Sequence, residues 1–126
     1  MNLVEECILA LGDNIHVYEG KYKERIIQEF CSYIPMTSWF SFDWNKISNK
    51  KTIENLDDII NLYPDLDRCY IIWDYVKTPI ILCDFIKIVE HVDDVTAVST
   101  NTWLMSEDRK YFIEIYHETK ISIAVL

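Results

Sequence analysis

Pro64-Asp65, followed by Asp108-Arg109-Lys110 and Glu118-Thr119-Lys120, spells a pattern known in metal-dependent nucleases, with carboxylates for Mg²⁺ and a lysine beside the attacking water. Glu19-Gly20-Lys21 has the same triplet form. In a chain this rich in charge, composition alone produces such triplets, so they do not identify a nuclease. His91 lies just before Asp93-Asp94, and His117 sits between Tyr116 and Glu118. A carboxylate-paired histidine suits a general base or a metal ligand. No serine or cysteine nucleophile motif stands beside either of them, however, and His16 is far away in sequence. Cys7, Cys31, Cys69 and Cys83 are spaced 24, 38 and 14 apart and form no Cys-x-x-Cys pair. This excludes a zinc ribbon or a thioredoxin-type site and predicts four buried, reduced thiols. The only glycines are Gly12 and Gly20, too few for a phosphate-cradling loop. The sequence therefore names no catalytic residue, no metal ligand and no cofactor.

Charge and aromatic content point to binding. Twenty-one Asp and Glu face twelve Lys and Arg, for a net charge of −9 on 126 residues. Residues 1–63 carry ten acids and six bases, and residues 64–126 carry eleven and six, so both halves are acidic. Such a chain repels nucleic acid and anionic membrane and attracts basic proteins. Four Trp, eight Tyr and five Phe supply the residue types that anchor interfaces. The densest aromatic segment is Ser38-Trp39-Phe40-Ser41-Phe42-Asp43-Trp44. Phe40, Phe42 and Trp44 alternate as if on one strand face, either packed under a connection or forming a binding ridge. The opening Met-Asn-Leu-Val-Glu-Glu lacks the basic region of a secretory signal, and no apolar run nears the ~18 residues of a membrane span. The cytosol is the expected compartment, with no membrane partner.

The length fits a single domain over residues 1–126. Leu3, Val4, Cys7, Ile8 and Leu11 recur at helical spacing, with Asn2 as N-cap and Gly12 as stop. Tyr22, Ile26, Ile27, Phe30 and Ile34 repeat that spacing up to Pro35. A third helix is predicted from Thr52, burying Ile53, Leu56, Ile59 and Ile60 and ending at Pro64. Cys69 to Tyr75 reads as a central strand, apolar on both sides. Asp84 is placed to cap a helix carrying Phe85, Ile88, Val89 and Val92, although Thr78-Pro79 offers an earlier start. Asp93-Asp94 would then end that helix, against its dipole. Strands are predicted over 95–99, 102–105, 110–117 and 120–125, joined by turns at 106–109 and 118–119. The fold class is α+β: N-terminal helices, then a mainly antiparallel sheet with one inserted helix.

In the strand at 110–117, alternation sends Tyr111, Ile113 and Ile115 to the core and Phe112, Glu114 and Tyr116 to the opposite side, with Glu118 just beyond. Either a second helix layer covers that side or it is an aromatic-acidic stripe open to a partner. On the second alternative, the partner-binding residues are Phe112, Glu114, Tyr116 and Glu118, with Asp74, Asp93 and Asp94 at nearby element ends. The acidic turn at Glu107-Asp108 is the next candidate.

Trp73-Asp74, Pro79, Asp84, the run Asp93-Asp94-Val95-Thr96-Ala97-Val98-Ser99, Thr102-Trp103 and the run from Tyr111 to Glu118 carry a family resemblance. Over residues 70–123 the chain resembles the small immunity proteins of bacterial contact-dependent growth inhibition systems. The resemblance implies a cytosolic, non-enzymatic protein that binds one cognate toxin tightly. That toxin would be the C-terminal region of a secreted CdiA-like protein, blocked at its active site or substrate path. Many such toxins are basic nucleases, for which an acidic inhibitor is suited. The alternative is another acidic interaction module or adaptor. The resemblance transfers no binding residues, so the site expectation rests on strand alternation alone.

Overall fold

The computed structural model describes residues 1–39, 41–116 and 120–126. Helix α1 (Leu3–Leu11) starts where the Asn2 side chain accepts the Glu5 N–H at 2.8 Å. It stops at Gly12, whose φ of 87° suits glycine. A short strand β1 (His16–Tyr18) follows, then α2 (Gly20–Tyr33), closed by Ile34 and Pro35. After an irregular segment come β2 (Lys50–Ile53), α3 (Asp58–Leu62), β3 (Arg68–Trp73) and β4 (Ile80–Asp84). Two short helices, α4 (Phe85–Glu90) and α5 (Val92–Thr96), precede the meander β5 (Asn101–Ser106), β6 (Tyr111–Tyr116) and β7 (Lys120–Val125). The seven strands form one sheet in the order β1-β4-β3-β5-β6-β7-β2, with every pair antiparallel. The α+β class follows, with helices first and the helical insertion between β4 and β5.

Helices cover both sides of the sheet. On one side Cys69, Ile71, Ile81, Leu104, Ile113 and Ile123 pack with Cys7, Ile59, Phe85 and Val95 from α1, α3, α4 and α5. On the other, Tyr70, Ile72, Leu82, Trp103, Met105 and Phe112 pack under Phe30 of α2 and Ile34 just past its end, with Phe42 and Ile47 from the segment that follows. The Phe30 ring lies 5.7–6.0 Å from those of Phe42, Trp103 and Phe112. Burial on both sides is why β3 and β4 read as nearly continuous apolar runs. Arg109 fixes α2 to the far end of the sheet. It occupies a left-handed backbone position (φ 61°) in the β5–β6 turn, ion-pairs with Glu29 of α2, and sits 5.3 Å from the centre of the Tyr70 ring.

Several elements differ from the sequence expectation. The helix expected from Thr52 is the edge strand β2 followed by α3, which begins at Asp58. Ile53, Leu56 and Ile59 still reach one core, because strand, turn and helix deliver them to the same side of the sheet. The strand expected over 95–99 is replaced by α5, where the Thr96 hydroxyl donates to the Val92 carbonyl and the Trp73 indole donates to that of Val95. Packing overrides the β-propensity of these residues. Asp93 and Asp94 therefore lie in the first turn of α5, where the expected conflict with a helix C-terminus does not arise. Asp84 takes the N-cap position of α4 but makes no side-chain cap, and ion-pairs with Arg68 at 3.5 Å instead. Thr78-Pro79 starts no helix, since β4 (Ile80–Asp84) follows directly. Tyr22 is exposed on α2.

Cys7, Cys69 and Cys83 are buried, whereas Cys31 is exposed on the outer side of α2. Burial pushes the Cys7 and Cys83 thiols up to about 12 and Cys69 well above the ordinary thiol range. Thiolate is the reactive form, so exposure decides labelling here. A disulfide-exchange reagent added to the native protein at mildly alkaline pH will modify Cys31 promptly and the other three thiols only after unfolding. Prompt loss of two or more thiols per chain would contradict this packing.

Candidate functional site

Strand register gathers several element ends at one end of the sheet. Trp73 pairs with Thr102, Asn101 with Tyr116, and Tyr116 with Lys120, so the end of β3, the start of β5, the end of β6 and the start of β7 lie side by side. On the α2 side, the irregular segment after α2 crosses the sheet near this end. Its start is a tight loop. Thr37 donates its N–H to the Ser41 carbonyl at 2.8 Å, and its hydroxyl accepts the N–H of Trp39 at 3.2 Å. A bridge between Met36 and Phe42 closes the loop, which presents Trp39 outward with 87% of its surface exposed.

Glu114 holds this segment down. The residue is only 7% exposed, and its carboxylate accepts three N–H groups. Oε2 takes the Phe42 backbone at 2.8 Å and the Trp103 indole at 3.0 Å, and Oε1 takes the Trp44 indole at 2.9 Å. A buried carboxylate is tolerable when satisfied in this way. The result is an open groove of about 460 Å³, with Glu114 on its floor and Trp39, Trp44, Tyr116 and Lys120 among its walls. Tyr116 is 41% exposed.

Trp103 links this groove to a second one of about 580 Å³, lying between the first turns of α2 and the Trp73–Val76 end of β3. Here the Lys23 ammonium donates to the carbonyls of Val76, at 2.7 Å, and Thr78. Partial burial lowers its pKa, against an opposing effect from Glu19. Val76 is 85% exposed and Tyr75 is half-exposed beside it. Two grooves flanked by outward-facing Trp39, Tyr75, Val76 and Tyr116 form an apolar, aromatic surface of the kind that binds other proteins.

The residues singled out by alternation divide among several roles. Tyr111, Ile113 and Ile115 enter one core and Phe112 the other, as period two requires. Of the two alternatives for the opposite side, α2 takes the Phe112 end: Phe112 is fully buried against Phe30 and is not part of an open stripe. Glu114 is nearly buried and spends its acceptors on the fold, while Tyr116 lines the first groove. Asp74 is exposed at the second groove, and its carboxylate accepts from the Ser99 hydroxyl and, at 3.4 Å, from the Asn101 N–H. Asp93 and Asp94 belong to α5 on the opposite layer, apart from the grooves. Glu118 and His117 lie outside the described residues. Glu107 and Asp108 occupy the turn at the far end of the sheet. Sequence reasoning missed Trp39, Tyr75 and Val76 as surface groups. The 38–44 segment carried a signal for the first, and of its two readings Phe42 and Trp44 follow the packed one: Phe42 is buried in the core under α2 and Trp44 is half-buried against it, while Phe40 lies outside the described residues.

Of the nuclease-like residues, Asp65, Asp108 and Lys110 lie at that far end, each already hydrogen-bonded, whereas Lys120 lines the first groove and Glu118 and Thr119 lie outside the described residues. Asp65 accepts from the Tyr111 hydroxyl at 2.6 Å and from Lys110 at 3.0 Å, and Asp108 accepts from the Ser106 hydroxyl at 2.7 Å. These bonds, that from Tyr111 first, hold the Asp65 carboxyl below the usual carboxylate range. Among the described residues no group of three His, Cys, Asp or Glu is arranged to hold a metal ion.

Because Glu114 satisfies three donors, replacing it acts on the fold first. Glu114→Ala strands N–H groups that the carboxylate now serves, and each buried unpaired donor costs about 1–3 kcal/mol. The expected outcome is a loss of at least about 2 kcal/mol in denaturant unfolding. A variant with unchanged stability would show that the carboxylate does not hold the segment down.

Among the described residues no helix is long and apolar enough to cross a membrane. A search of curated proteins finds no match to the chain. The family described as "CdiI immunity protein EcoliA0-like" matches residues 1–124, nearly the whole chain and well beyond the 70–123 region that carried the resemblance, and the protein belongs to that family.

Proposed function

We propose that this immunity protein acts in the cytosol, by binding and not by turnover, to neutralise one cognate toxin domain, the C-terminal region of a CdiA-like protein. The docking surface is the end of the sheet bearing the two grooves. The observation that carries this reading is the pair of outward apolar side chains there: Trp39 is 87% and Val76 85% exposed, on loops fixed by hydrogen bonds. Rigid, exposed aromatic anchors beside concave surface favour tight association, because little order is lost on binding. Tyr116 and Asp74 belong to the same surface. Glu114 acts through the groove that it shapes. The net charge of −9 suits a basic toxin of nuclease type, with long-range attraction assisting encounter.

Trp39→Ala and Tyr116→Ala should each weaken toxin binding by about 1–3 kcal/mol with little change in melting temperature. Calorimetric titration beside thermal unfolding checks both. Unchanged affinity in both variants would move the interface elsewhere, with the acidic turns at Asp93-Asp94 and Glu107-Asp108 next in line.

The charge reading has its own test. If the toxin is basic, its association rate should fall steeply with added salt as the ~8–10 Å Debye length shortens, while dissociation changes less. A flat association rate would assign the acid excess to solubility.

A further inference from the structure

The Glu114 carboxylate has more acceptor capacity than the fold uses. A carboxylate offers about four lone-pair positions, and three N–H groups reach it here. Two of them fill Oε2, which leaves one position on Oε1, the atom bonded only to the Trp44 indole. All three donors are neutral. The ion pairs among the described residues join Lys46 to Asp43, Arg68 to Asp84, Arg109 to Glu29 and Lys110 to Asp65, and none involves Glu114. Among the described residues, then, no cation is paired to the Glu114 carboxylate on the floor of the groove, beneath aromatic walls formed by Trp39, Trp44 and Tyr116.

We propose that this groove takes an arginine side chain of the toxin, its guanidinium against the aromatic walls and one N–H on Glu114 Oε1. The inference rests on the docking reading above and names the chemistry of the anchor. A guanidinium fits better than an ammonium. It is planar, stacks on aromatic rings, is weakly hydrated, and donates in its own plane while its faces stay in ring contact. A purely apolar anchor would leave the Glu114 charge buried and unpaired beneath it, which is unfavourable. Lys120, exposed at the groove wall, opposes a cation and is the one basic residue lining it among the described residues. Removing it should therefore tighten cation binding.

The test uses the isolated protein and N-acetyl-arginine methylamide as probe, followed through the indole N–H signals of the four tryptophans. The expected result is a saturable shift of the Trp44 and Trp103 signals in the millimolar range. The lysine analogue should give smaller shifts and the norleucine analogue none. Trp39→Ala should weaken the probe about three-fold, and Lys120→Ala should strengthen it. Both sites are exposed, so neither variant depends on rescuing the fold. Equal shifts with arginine and norleucine analogues, or no shift with either, would overturn the proposal. A parallel measurement separates it from the docking reading. If Trp39→Ala weakens the toxin while the arginine probe does not bind, the dock stands and the cationic anchor falls. If the probe binds while Trp39→Ala and Tyr116→Ala both leave toxin affinity unchanged, the toxin does not supply the occupant, and the proposal fails with the dock.

Discussion

The buried Glu114 carboxylate is the constraint around which the groove end of the molecule is organised. It lies on a central strand, on the side of the sheet that α2 covers only in part. By accepting from the Phe42 backbone and from the indoles of Trp44 and Trp103, it ties the loop after α2, and the single 3-10 turn Trp44–Lys46 that follows it, to the sheet. That segment sends Phe42 into the core and Trp39 outward. Without the three bonds, no regular secondary structure would fix the tip of the loop. An exposed tryptophan on a loose loop would lose conformational freedom on binding, and one held in place loses less.

Much of the fold was legible because periodicity is a local property. Asn2 and Gly12 bound α1 as their chemistry dictates, and the Phe30–Ile34–Pro35 sequence ends α2 where proline removes a donor. The alternation of Tyr111, Ile113 and Ile115 against Phe112 and Glu114 was correct to the residue, since a period of two leaves no other choice once the strand exists. What failed was set by partners distant in sequence. Val95 and Thr96 favour a strand by type, but Trp73 donates to the Val95 carbonyl and α1 rests against α5, so a helix forms. Thr52 and Ile53 become an edge strand because β7 presents Ser122 and Ile121 to them. Neither pairing leaves a mark within its own stretch of sequence.

The candidate site was legible only in parts, for a related reason. Two separate signals, the aromatic 38–44 segment and the outward side of β6, were each visible in the sequence, and their union was not. It depends on a hydrogen-bonded contact between Phe42 and Glu114, 72 residues apart. Alternation identified Glu114 correctly as facing away from the first core. It could not tell whether the carboxylate met solvent or three N–H donors. Asp74, Asp93 and Asp94 were grouped as neighbouring element ends, yet the sheet separates α5 from the α2 side. Tyr75 and Val76 continue an apolar strand in sequence and leave it in space, because the loop turns under the carbonyl contacts of Lys23.

Family membership points to a toxin as the partner, and the groove end of the sheet is the dock proposed for it. Hydrogen–deuterium exchange on the complex with the cognate toxin domain tests that claim most directly. The account predicts new protection in peptides covering 37–44, 74–76 and 114–116, with little change across α5 and the 106–110 turn. Protection confined to α5 or to that turn, with the groove peptides exchanging as in the free protein, would contradict it.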